Sequence, residues 1–149
     1  MTVIHRTALV EFSAYQMYDL VNDISAYPEF LPMCAQVDVH SQSATEAEAT
    51  LSIVKGAIKI EFATHNDMIK NQEITIRLIK GPFKHLTGVW KFVPLSAHAS
   101  KVTLDLQFEF SNRMLAMALG VVFKKLANTM LDAFCQRAKV VYGRPIHER

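Results

Sequence analysis

"KVTLDLQFEFSNRMLAMALGVVFKKLANTMLDAF" (Lys101–Phe134) changes its period halfway along, and that change decides the fold. Up to Phe110, Val102, Leu104, Leu106 and Phe108 alternate with Thr103, Asp105, Gln107 and Glu109, which predicts a strand with one buried and one wet face. Beyond Ser111 the two-residue rhythm stops. Leu115, Ala118, Val122, Leu126, Met130, Phe134 and Val141 then recur at helical spacing. This predicts a helix over 113–142, stopped by Gly143 as a left-handed cap with Pro145 shortly after. At 1.5 Å per residue it is ~45 Å long, enough to cross a whole sheet.

Working back towards the N-terminus, the alternation repeats. Strand patterns occur at 2–12, 35–42, 49–56, 58–65, 73–80 and 86–93, joined by turns such as "VKGA" and "IKNQE". A helix begins after Ser13, with Ser13 and Gln16 as a capping box and Phe12 and Met17 as a hydrophobic staple. Its apolar stripe is Met17, Leu20, Val21 and Ile24. "SAYPEFLPMC" (Ser25–Cys34) follows, in which Pro28 and Pro32 bracket about one helical turn. The predicted order is therefore β, α, short α, six strands, long α. This α+β chain packs most economically as a strongly curved, antiparallel seven-stranded sheet wrapped around the long C-terminal helix. One domain over 1–149 is expected at this length.

Such an arrangement leaves room for a cavity between sheet and helix. The large residues on the inward faces, Leu78, Trp90, Phe92 and Phe108, are expected to line it, with Met117 and Val121 from the helix. Tyr27, Phe30 and Leu31, held in direction by Pro28 and Pro32, read either as a lid over its mouth or as a plug filling the end of the sheet. Phe83, beside Pro82, is the facing loop residue. The all-apolar run "MLAMALGVVF" (Met114–Phe123) either lines the cavity, meets a partner or membrane surface, or is covered by loops. It is too short to span a membrane. A strand pattern beginning at Thr2 leaves no expectation of a targeting segment, and Cys34 and Cys135 fit a reducing compartment, so a cytoplasmic protein is expected.

Enzyme signatures are scarce. The six histidines show no metal-ligand spacing, and no nucleophile motif or phosphate-cradling glycine loop occurs. Arg77, Thr64 and Tyr27 could polarise a carbonyl, but nothing couples them to a base, so neither catalytic residues nor a metal are expected. Gly56, Gly81 and Gly88 read as turn or bulge residues. The net charge of +2 is unevenly placed. Residues 1–50 carry one basic and seven acidic side chains, whereas 113–149 carry seven basic and two acidic. Lys124, Lys125, Arg137 and Lys139 are thus either a solvated helix face or a surface for phosphate, with Arg144 beyond the stop.

The order of elements, with "YPEFLPMC", "GPFKHLTGVWKFVPL" (Gly81–Leu95) and Leu104–Phe134, closely resembles the START-like, helix-grip superfamily. Within it, the chain is similar to the coenzyme Q-binding and polyketide cyclase-like branch, and most of all to the bacterial ribosome association toxins. That resemblance implies binding to the large ribosomal subunit and hindrance of subunit association; the placement of charge makes the basic helix the expected contact. For a toxin, an antitoxin partner is the corresponding expectation, though no segment marks one. Mitochondrial relatives imply the alternative of a ubiquinone carrier or chaperone supporting respiration. The cyclases imply a second alternative, an enzyme that folds and dehydrates a reactive chain. Apart from ubiquinone or another lipid-like ligand, no cofactor is expected.

Overall fold

The computed structural model describes residues 1–143. Pro145 and Arg144 lie outside them. Strand β1 (Thr2–Val10) leads into helix α1 (Ala14–Asn22), and a short 3-10 helix (Ile24–Glu29) follows. Six strands come next: β2 (Cys34–Gln42), β3 (Glu46–Lys55), β4 (Ile58–Ile69), β5 (Glu73–Lys80), β6 (Phe83–Ser96) and β7 (Ala99–Phe110). Helix α2 (Arg113–Tyr142) is the last element among the described residues.

The strands form one antiparallel sheet in the order β1-β7-β6-β5-β4-β3-β2. Consecutive hairpins account for β2 to β7, and β1 returns to the free edge of β7 in unbroken register from Thr2↔Phe108 to Val10↔Ser100. Register shifts at Cys34/Gln36, Val39/Ser41, Ala63/Thr64, Phe83/His85 and Pro94/Ser96 bend the sheet. The resulting concave face holds α2, whose Val122, Phe123, Leu126, Ala127, Leu131, Phe134 and Ala138 are buried against it. Ser13 caps α1 as its sequence predicts: its hydroxyl accepts the Gln16 N–H at 3.0 Å, and Gln16 Oε1 accepts the Ser13 N–H at 2.9 Å.

Two local expectations change. The turn expected between Pro28 and Pro32 lies earlier, as the 3-10 helix that ends at Glu29. Turn-forming bonds begin directly behind α1, where Ala26 N–H reaches the Asp23 carbonyl at 3.2 Å. The N–H groups of Phe30 and Leu31 then both converge on the Tyr27 carbonyl, so the segment is closed before Pro32 is reached. The buried stripe of α2 also differs from the expected one. Ala118 and Val141 face solvent, while Phe123, Ala127, Leu131 and Ala138 are inside, because the sheet grips the helix only from about Val122 onward.

Candidate functional site

Between the sheet and α2 lies a cavity of about 70 Å³. Its walls are the inward residues of β3 to β7, among them Leu51, Phe62, Leu86, Trp90 and Leu104. Phe123, Leu126, Ala127 and Met130 of α2 close one side, and Ile24 and Tyr27 of the 3-10 helix roof it. The polar groups are few. Thr64 and Asn66 enter from β4, with the Thr64 hydroxyl 3.5 Å from Asn66 Oδ1. The Tyr27 hydroxyl donates to the Val21 carbonyl, and burial pushes its pKa well above the ordinary tyrosine range. Among the described residues lining this space, Tyr27 is the only titratable one.

The expected site residues do not gather in one place. Tyr27 and Trp90 line the cavity. Phe83, Phe92, Phe108 and Leu31 are buried elsewhere in the core. Phe83 and Phe108 join Phe110 and Phe123 in an aromatic plug, with Phe83–Phe110 ring centroids 4.7 Å apart and Phe108–Phe123 centroids 4.8 Å apart. Phe92 instead packs under α1, with its ring 5.6 Å from Tyr18. Leu78 is half-buried against Gly81, beside the cavity wall. Met117 and Val121 correct the expectation outright: they are 78% and 80% exposed. They occupy the outward side of α2, together with Met114 at 79%. Helical periodicity carries no origin, so spacing alone could not say which stripe the sheet would cover. Phe62 and Thr64 continue the alternation of Ile58 and Ile60, and Asn66 follows once that pattern is carried past His65.

The roof is latched to α2. Phe134 meets Tyr27 and Phe30 edge-on, with centroids 5.3 and 5.2 Å apart. The Arg137 guanidinium lies 5.0 Å above the Phe30 ring and 3.1 Å from Glu29 Oε1. Pro32 is exposed at the outer end of this segment. Arg137 is therefore engaged within the fold, unlike Lys124, Lys125 and Lys139, which are exposed on α2. The β3–β4 hairpin brings Lys55 beside Lys125, and that ammonium depresses the Lys55 pKa. Val121 thus sits one turn from this pair of ammonium groups, with Met117 and Met114 further back along the same exposed side. Cys34, pushed up to about 11 by burial, is no nucleophile at neutral pH.

Comparison with known proteins matches this architecture. The profile of the polyketide cyclase/dehydrase and lipid transport family covers residues 10–135. Ribosome association toxin RatA of Escherichia coli K12 is 46% identical over 143 residues, spanning 96% of this chain and 90% of the relative. The mitochondrial coenzyme Q-binding protein COQ10 homolog B of Xenopus laevis is 31% identical, over 89% of this chain and 56% of its own. A START superfamily protein of Mycobacterium smegmatis superimposes with a TM-score of 0.75 at 19% identity, covering 93% of this chain and 98% of that one.

Proposed function

The chain belongs to the polyketide cyclase/dehydrase and lipid transport family, among the ribosome association toxins, and we propose that it is a non-enzymatic protein that binds the large ribosomal subunit and hinders its association with the small one. The observation that carries this reading is the outward side of α2. There Met114, Met117 and Val121, each close to 80% exposed, run along the same side of the helix towards Lys124, Lys125 and the neighbouring Lys55. Apolar side chains beside clustered ammonium groups suit a ribonucleoprotein surface, where phosphates take the charges and bases or protein take the apolar face. The lack of any acid–base pair in the cavity supports a binding role over catalysis. Work on ribosomes would place the protein in the cytoplasm.

Sucrose-gradient sedimentation with purified subunits tests it. The protein should travel with the large subunit and lower the yield of joined ribosomes. Replacing Lys124 and Lys125 with Gln should weaken binding and flatten its dependence on salt, by a log–log slope of about 0.7–0.9 for each phosphate left without its ammonium partner. Stability should hardly change, since both side chains are exposed. An unchanged salt slope would remove α2 from the contact surface.

The cavity favours a second reading, a lipid-like or quinone ligand, which the name of the Xenopus relative also supports. Ligand pockets commonly enclose ~300–1,000 Å³, far more than the space present, so entry requires the roof to lift from α2. Trp90 is the single tryptophan and lines the cavity. Its emission should fall on titration with a short-chain ubiquinone, and emission that does not respond would sink this reading.

A further inference from the structure

On the outward face of the sheet, away from the cavity, one imidazole nitrogen and two carboxylate oxygens converge. The register of β3 with β4 sets Glu46 opposite Asp67 and Glu48 opposite His65. His65 Nδ1 lies 2.8 Å from Glu48 Oε2, where an imidazole N–H donates to the carboxylate. Nε2 lies 3.1 Å from Asp67 Oδ1 and 3.5 Å from Glu46 Oε1, and when the ring is neutral with its proton on Nδ1 its lone pair faces both. In that neutral state three electron-rich atoms face one another, and either a proton on Nε2 or a metal ion between them relieves the repulsion. We propose that Glu46, His65 and Asp67 are a binding site for a divalent transition-metal ion of the zinc class, with Glu48 orienting the ring from behind.

The donor set and its spacing fit. One imidazole nitrogen and two carboxylates, with solvent completing the shell, is chemistry that zinc accepts. Two ligands each 2.0–2.2 Å from a tetrahedral zinc lie about 3.3–3.6 Å apart. The three donor atoms already lie within 4.8 Å of one another, and both carboxylates are free to close the rest, being 61% and 56% exposed. His65 itself is only 8% exposed and held by its neighbours, so the least mobile ligand is already in place. Glu48 supplies the outer carboxylate that metal-bound histidines commonly carry on their second nitrogen. Arg77, paired with His65 from β5, opposes a cation, but three carboxylates outweigh one guanidinium. The rival occupant is a proton, since Glu48 and then Asp67 raise the imidazole pKa.

The test is calorimetric titration of chelator-treated protein with zinc chloride at pH 7.5, paired with NMR of the imidazole nitrogens. One saturable site should appear, with Nε2 of His65 shifting on zinc addition while Nδ1 stays protonated. His65→Gln should abolish it, and Glu46→Gln or Asp67→Asn should each weaken it about tenfold or more. Glu48→Gln should weaken it ~10–100-fold through ring orientation alone. Thermal melts without metal check that each variant is folded. An imidazole protonated on both nitrogens and indifferent to zinc overturns the proposal. So does undiminished uptake at the same affinity by folded His65→Gln protein.

Discussion

Gly81 stands where β5 passes into β6, with φ at +153°. A Cβ there would lie 2.7 Å from the Cβ of Phe62 and 3.2 Å from its Cα, and neither atom can swing aside. Gly81→Ala should therefore destabilise the fold by about 1–3 kcal/mol, measured by denaturant unfolding. Gly56, with φ at +60° in the β3–β4 turn, meets nothing within 4 Å, so the turn reading made from sequence holds there for conformational reasons. Gly88 departs from that reading. It lies inside β6 opposite Leu106, whose Cδ1 would be 3.0 Å from an added Cβ, so packing rather than a turn explains it. Arg137 shows the same limit in a charge. Counted along the chain it belongs to a basic helix, yet in space it closes on Glu29 and Phe30.

At the scale of the element, the 3-10 helix and α2 behave as roof and beam. Phe30 is half-buried, and its ring is clasped between Phe134 and Arg137. Removing a fully buried phenylalanine costs ~3–5 kcal/mol, so Phe30→Ala should cost less than that while loosening the roof. The expected outcome is a modest loss in denaturant stability together with faster ubiquinone release in stopped-flow fluorescence. A full core penalty with unchanged release would instead make the segment a plug. The capping box of α1 was legible from Ser13 and Gln16 alone, because both partners lie within one turn. The buried face of α2 was not legible, because its first turns are apolar all round and the sheet leaves them uncovered.

For the whole molecule, the cavity and the basic face of α2 lie on opposite sides of one helix, so the two functional readings can be separated. Ala127 is 1% exposed and lines the cavity. Ala127→Val should fill part of the space, with stability unchanged or raised by up to ~2 kcal/mol. Trp90 should then lose its response to ubiquinone, while sedimentation with the large subunit stays as in the parent. Loss of both together would tie ribosome binding to the cavity.

Periodicity determined the elements, their order and the two-faced character of the sheet, because alternation and helical spacing are written into consecutive residues. Even the limits of β5 and α2 follow from it. Tertiary structure alone decided which side of α2 is covered, how little space remains beneath the roof, and which residues meet across strands. Glu46, Glu48, His65 and Asp67 come together only because β3 and β4 pair in one particular register. No spacing rule along the chain encodes that pairing, since a slip of one residue would send every one of these side chains to the opposite face.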